Sequence, residues 1–144
     1  MIYLDTSFVV SLYGIDANSA AAAVALQAAR LPLLMSSLTE IETVNALGLR
    51  EFRREVTKTE ASVSLRNFEE DLNRGAFLRI ALPESAFPRA RTLSLQSTTR
   101  LGLRTADLLH VAAALEFGAN AFFTFDLRQR KLCSELGLKV NHLP

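Results

Sequence analysis

The feature that most narrows the fold is an alternation of very short apolar runs with longer helical stretches. The short runs are Ile2-Tyr3-Leu4, Leu33-Leu34-Met35, Phe77 to Ala81, Ala121 to Thr124 and Leu138-Lys139-Val140. Most of them are apolar at successive positions, so both faces of the strands they form must be covered. The stretches between predict helices over 8–13, 17–30, 37 to about 54, 57–74, 83 to about 95, 105–117 and 127–136, with Gly or Pro punctuating most of their ends. Strands covered on both faces and separated by helices predict an α/β fold with a parallel sheet. No internal repeat, low-complexity tract or linker interrupts the pattern, so one domain over residues 1–144 is the simplest organisation.

Composition excludes several classes. The single cysteine, Cys133, rules out an intrachain disulfide and any Cys-based metal site, and it suits a reducing, cytoplasmic setting. The first residues lack a basic segment followed by a long apolar one, so no signal peptide is expected. The Ala-rich stretch from Ala20 to Leu26 is too short to span a bilayer, and no membrane role is expected. A net charge of +1 is too small for a general polyanion binder, although the basic residues are mostly Arg, which suits phosphate. Slightly positive mean hydropathy leaves apolar surface for a partner or for self-association.

The acidic residues carry the functional signal. Asp5 and Asp126 each follow an apolar strand, and Asp107 sits in the first turn of a helix. In an open α/β sheet, ligands bind beyond the carboxyl ends of the strands, so these three share one edge. Each alone also serves as a helix cap or dipole partner, Asp107 with Thr105 as the cap. Between Glu40 and Glu42, Ser37-Leu38-Thr39-Glu40 reads as a capping box, which occupies Glu40. Glu42 lies on a stripe of Leu38, Ile41, Leu49 and Phe52, with Asn45 in its middle. A carboxylate on a buried face needs a cation, either an Arg or a metal. Four carboxylates in one crevice repel one another and should raise each other's pKa values. A hard cation, Mg²⁺ or Mn²⁺, would resolve that repulsion through oxygen ligands.

These residues fall into four motifs. Tyr3-Leu4-Asp5-Thr6-Ser7, Ser37-Leu38-Thr39 with Glu42 and Asn45-Ala46-Leu47, Arg104 to Leu115 around Thr105, Asp107 and His110, and Phe123-Thr124-Phe125-Asp126 resemble the motifs of the PIN-domain ribonucleases. Asp-Thr-Ser alone is a weak signal; the order and spacing of all four are strong. The resemblance runs from Met1 to Val140, and by size it is closest to the VapC toxins of type II toxin–antitoxin pairs. It implies a three-layer α/β/α sandwich with a short parallel sheet. It further implies Mg²⁺- or Mn²⁺-dependent cleavage of RNA to a 5′-phosphate and a 3′-hydroxyl, a homodimer, and an antitoxin protein whose tail blocks the site. Asp5, Glu42, Asp107 and Asp126 match the acidic, metal-holding positions. Thr6 and Thr124 match the hydroxyl positions beside them, and Ser7 completes the first motif. The middle, 52–98, matches only in helical character.

Arg104, Arg100 and His110 are further candidates for phosphate contact. His110 shares a helix face with Asp107, where packing is its simpler role. Cys133 reads as inert. Among other functions, a haloacid-dehalogenase-like phosphatase would want a second Asp where Ser7 stands, and a receiver domain a better placed lysine than Lys131 or Lys139. A solitary RNA-processing nuclease and a catalytically inactive binding module of the same fold remain the alternatives within the family.

Overall fold

The computed structural model describes residues 1–142. Its centre is an all-parallel sheet of β1 (Ile2–Leu4), β2 (Leu33–Ser36), β3 (Leu78–Ile80), β4 (Ala121–Phe123) and β5 (Lys139–Val140), in the order β3-β2-β1-β4-β5. The helices are α1 (Thr6–Tyr13), α2 (Ser19–Ala28), α3 (Ser37–Phe52), α4 (Lys58–Asn73), α5 (Ala86–Leu101), α6 (Thr105–Glu116) and α7 (Leu127–Glu135).

Strand alternation explains the layering. Successive side chains leave a strand on opposite faces. Tyr3, Leu34 and Phe122, paired in register across the sheet, pack with Leu93 of α5, Val111 of α6 and Leu132 of α7. Ile2, Leu4, Met35 and Ala121 point the other way, towards Phe8 of α1, Ala22 of α2 and Phe68 of α4. The sheet therefore carries a core on each face, and the expected three-layer α/β/α sandwich is present. Each fully buried phenylalanine, such as Phe8, Phe68 or Phe122, contributes about 1.5–3 kcal/mol of burial.

Several local expectations change. Helix α2 begins at Ser19, not Ala17, because the Asp16 carboxylate closes a turn with Ser11 Oγ, Asn18 N and Ser19 Oγ instead of capping the helix. Helix α5 continues past Leu95 to Leu101, since Ser97 still faces inward and Gly102, at φ 67°, supplies the left-handed stop. The cap of α3 is Ser36. The Ser37–Glu40 capping box does not form: Ser37 Oγ accepts from Leu82 N at 3.0 Å, and Glu40 pairs with Arg79 at 3.2 Å. Nor is the Leu38-Ile41-Leu49-Phe52 stripe the core face of α3. Ile41 is 62% exposed and Phe52 83%, while Thr39, Thr43 and Leu47 turn inward. Thr39 Oγ1 donates to Leu4 O at 3.2 Å, so the end of β1 takes a hydroxyl-bearing face of the helix. Among the described residues, no helix is long and apolar enough to cross a membrane.

Candidate active site

Strand order creates the crevice. The chain leaves β1 towards β2 on one side and later returns to β4 on the other, so β1 and β4 flank a topological switch point. Asp5 and Asp126 stand just beyond these two strands, and each caps the helix that follows. Asp5 Oδ1 accepts from Phe8 N at 3.0 Å; Asp126 Oδ1 accepts from Arg128 N at 2.8 Å and Gln129 N at 3.1 Å. Capping and lining the site are thus compatible uses of the same side chain. Asp107 enters from the first turn of α6, where Arg104, not Thr105, is the capping residue. Glu42 arrives from α3. All four carboxylates line one cavity of about 550 Å³, together with Thr6, Ser7, Arg104, His110 and Gln129.

Each carboxylate is held differently. Asp5, 1% exposed, accepts only from neutral donors: Ser7 Oγ at 2.8 Å, Thr124 Oγ1 at 3.0 Å and Phe8 N. Burial pushes its pKa up, against the lowering influence of His110 and these hydrogen bonds. Asp107, 2% exposed, takes Arg104 in a fork: Nε to Oδ2 at 3.1 Å and Nη2 to Oδ1 at 3.0 Å, with Gln129 Nε2 on Oδ1 at 3.1 Å. Burial pushes Asp126 up, but the Arg128 guanidinium and the two backbone N–H groups outweigh it and hold the carboxyl below its usual range. Arg104 Nη2 also stands 3.7 Å from Asp126 Oδ2. On Glu42, the hydrogen bond from His110 leads those that hold the pKa down, and Thr6 adds a second.

The rise expected from mutual repulsion is therefore absent at Glu42 and Asp126, both held below the usual range, and at Asp5 it is burial that raises the pKa. Arg104 and Arg128 stand among the acids and pair with Asp107 and Asp126, while among the described residues neither Asp5 nor Glu42 has an Arg or Lys at ion-pair distance. Among the described residues, no three His, Cys, Asp or Glu side chains stand grouped as metal ligands. The donor chemistry nonetheless suits a hard cation. Asp5 is buried with no Arg or Lys at ion-pair distance among the described residues. Among the described residues Glu42 Oε1 has no hydrogen bond, both of those on Glu42 falling on Oε2. Gln129 Oε1 is buried on the cavity wall without a partner among the described residues.

Of the other sequence candidates, Thr124 Oγ1 donates to Asp5 and accepts from Asp126 N at 2.9 Å, tying the two strand ends together. Ser7 Oγ accepts from Phe125 N at 2.8 Å while donating to Asp5. His110 is buried, but it is a hydrogen-bonding member of the site as well as a packing residue. Arg100 does not reach the cavity; it forms a two-pronged pair with Glu135 at 2.7 Å on the α5–α7 surface. Three contributors escaped sequence reasoning: Arg128, Gln129 and Tyr3. Gln129 lies three residues after Asp126, a spacing that could have marked it as the residue turned back towards the cap.

The chain thus combines a parallel α/β/α sandwich with an acidic crevice at its switch point. The PIN domain family model matches residues 2–135, and the chain belongs to that family. No curated protein sequence matches significantly. Among solved structures, VapC20 from Mycobacterium tuberculosis, described as a sarcin–ricin loop cleaving toxin, is similar at TM-score 0.72 and 18% identity, covering 100% of both chains. VapBC2 from Rickettsia felis, bound to a DNA fragment from its promoter, is similar at 0.67 and 18%, again over 100% of both. A toxin–antitoxin complex from Klebsiella pneumoniae is similar at 0.55 and 16%, covering 86% of this chain and 85% of the other. These identities establish a shared fold.

Proposed function

We propose that the chain is a divalent-metal-dependent endoribonuclease, the toxin of a VapBC-type pair acting in the cytoplasm. The observation that carries this reading is the convergence of Asp5, Glu42, Asp107 and Asp126 from four separate elements on one cavity. Asp5, Glu42, Asp107 and Asp126 would hold Mg²⁺ or Mn²⁺, and the ion would supply activated water and neutralise charge developing on a phosphoryl oxygen. Thr6, Ser7 and Thr124 keep the carboxylates oriented. Arg104, which lines the cavity, and Arg128, which pairs with Asp126, would meet phosphate once released from their carboxylates.

The toxin reading draws on similarity over the full length of VapC20, and the antitoxin partner on similarity to a toxin–antitoxin complex. Exposed apolar side chains, Ile41 and Phe52 on α3 and Phe87 and Leu95 on α5, offer surface for an antitoxin and for a homodimer. The test is cleavage of RNA by purified protein. Activity should need Mg²⁺ or Mn²⁺, stop with EDTA, and vanish in Asp5→Asn and Asp107→Asn. Full activity in either variant, or in EDTA, would remove the mechanism.

A further inference from the structure

The cavity wall behind Glu42 holds a buried hydrogen-bonded chain that the catalytic reading leaves unused. It begins at Ser36 Oγ, 2.7 Å from Tyr3 Oη, and continues from Tyr3 Oη to His110 Nδ1 at 2.9 Å. It ends with His110 Nε2, 2.7 Å from Glu42 Oε2. Burial pushes the Tyr3 phenol up, so it keeps its proton and has one to donate. The direction of the chain follows from its last member. A carboxylate only accepts, so His110 Nε2 donates to Glu42, and the other ring nitrogen, Nδ1, is engaged by Tyr3 Oη. Tyr3, Ser36 and His110 are all buried, and the Tyr3 ring stacks on Phe122 at 5.3 Å and meets His110 edge-on at 5.9 Å. The imidazole is therefore fixed in position by groups that belong to the core. Its hydrogen bond and that of Thr6 both fall on Oε2, which leaves Oε1 the free oxygen of a carboxylate otherwise only half-buried on a helix surface.

We propose that the Tyr3–His110 pair is a positioning device that locks the Glu42 carboxylate with Oε1 presented to the cavity, so that Glu42 binds the divalent ion without an ordering cost. The inference rests on the metal-dependent reading above. It differs from a packing role for His110 in a way that substitution can separate. Glutamine places its amide nitrogen near the position of Nε2 and can still donate to Glu42. Asparagine places a polar atom near Nδ1, keeps a partner for Tyr3 and falls short of Glu42. Packing alone would rank the two as similarly damaged.

The experiment is titration of the full chain with Mn²⁺, followed by electron paramagnetic resonance or calorimetry, with thermal melts of the same proteins. The wild type should bind Mn²⁺. His110→Asn should bind about 10- to 100-fold more weakly, the usual consequence of removing an outer-shell partner. His110→Gln should recover to within about threefold of wild type. Tyr3→Phe, which keeps the ring stack but leaves His110 unanchored, should fall between them and covers the case in which His110→Asn does not fold. Equal affinities across wild type, His110→Asn and Tyr3→Phe would overturn the proposal, as would equal loss in the Gln and Asn variants. A wild type that binds no Mn²⁺ would instead overturn the metal-dependent reading itself.

Discussion

If the crevice holds a metal ion as proposed, Arg104 is a cation with which the ion would compete, and its removal gives a quantitative prediction. Its guanidinium stands 3.0–3.1 Å from both oxygens of Asp107 and 3.7 Å from Asp126. Unit charges 4 Å apart interact by about 1 kcal/mol in water and about 4 kcal/mol at an effective dielectric of 20. The Arg104 side chain is 67% exposed, which places it near the aqueous end and exposes it to salt screening. The competition is then worth about 1–2 kcal/mol, and Arg104→Ala should tighten Mn²⁺ binding about tenfold. Without metal the same variant should be less stable by about 1 kcal/mol, because Asp107 is buried and keeps only Gln129 and the Arg104 backbone N–H. Thermal melts with and without Mn²⁺ test both halves. The metal-free melting temperature should drop by roughly 2–4 °C, and the rise on saturation should exceed the wild-type rise by roughly 3–6 °C. An affinity for Mn²⁺ equal to or weaker than wild type would refute the reasoning, since the ion would then not share Asp107 and Asp126 with Arg104.

Three further outcomes follow from the site and its surroundings. Asp5→Asn should melt higher than wild type in metal-free buffer, because burial opposes ionisation of Asp5 and asparagine keeps the cap. The sign sets the pH window: the penalty is absent below the usual aspartate range and grows as pH rises through the raised pKa, so the gap should close in acid; a pH-independent gap would contradict it. Arg100→Ala should leave RNA cleavage unchanged, since its guanidinium is engaged with Glu135 outside the cavity; a large loss of activity would restore it to the site. Burial pushes the Cys133 thiol far up, so a thiol reagent should label it only on unfolding; rapid labelling of the native chain would show the α7 packing to be open.

Much of the architecture was legible because it follows from punctuation. Apolar runs that stop at Asp5 and near Asp126 mark strand ends, and a parallel sheet turns strand ends into a rim. Glu42 does line the cavity, but the argument that favours it over Glu40 fails in its details. The Ser37–Glu40 box does not form and the Ile41–Phe52 stripe is exposed, yet Glu42, Asn45, Ala46 and Leu49 do share a face on the crevice. Helical phase located that face; it could not say which of two faces β1 would accept, because that depends on the hydrogen bond from Thr39 to the Leu4 carbonyl. His110 was legible as a neighbour of Asp107 but not as a partner of Glu42. That contact joins residues 68 positions apart directly, with a tyrosine on a third element holding the ring by its other nitrogen. The charge balance was equally hidden, since Arg128 reaches Asp126 only once α7 starts at the cap, and Arg104 folds back on Asp107 across the first turn of α6.

The central claim is that carboxylates in this crevice direct a metal-activated water at a phosphodiester of RNA. Analysis of the cleavage ends tests it most directly, because attack by water and attack by the neighbouring ribose hydroxyl leave different termini. With Mg²⁺ or Mn²⁺ the account predicts fragments bearing a 5′-phosphate and a 3′-hydroxyl, and none in EDTA. A 2′,3′-cyclic phosphate, or cleavage that persists in EDTA, would contradict it.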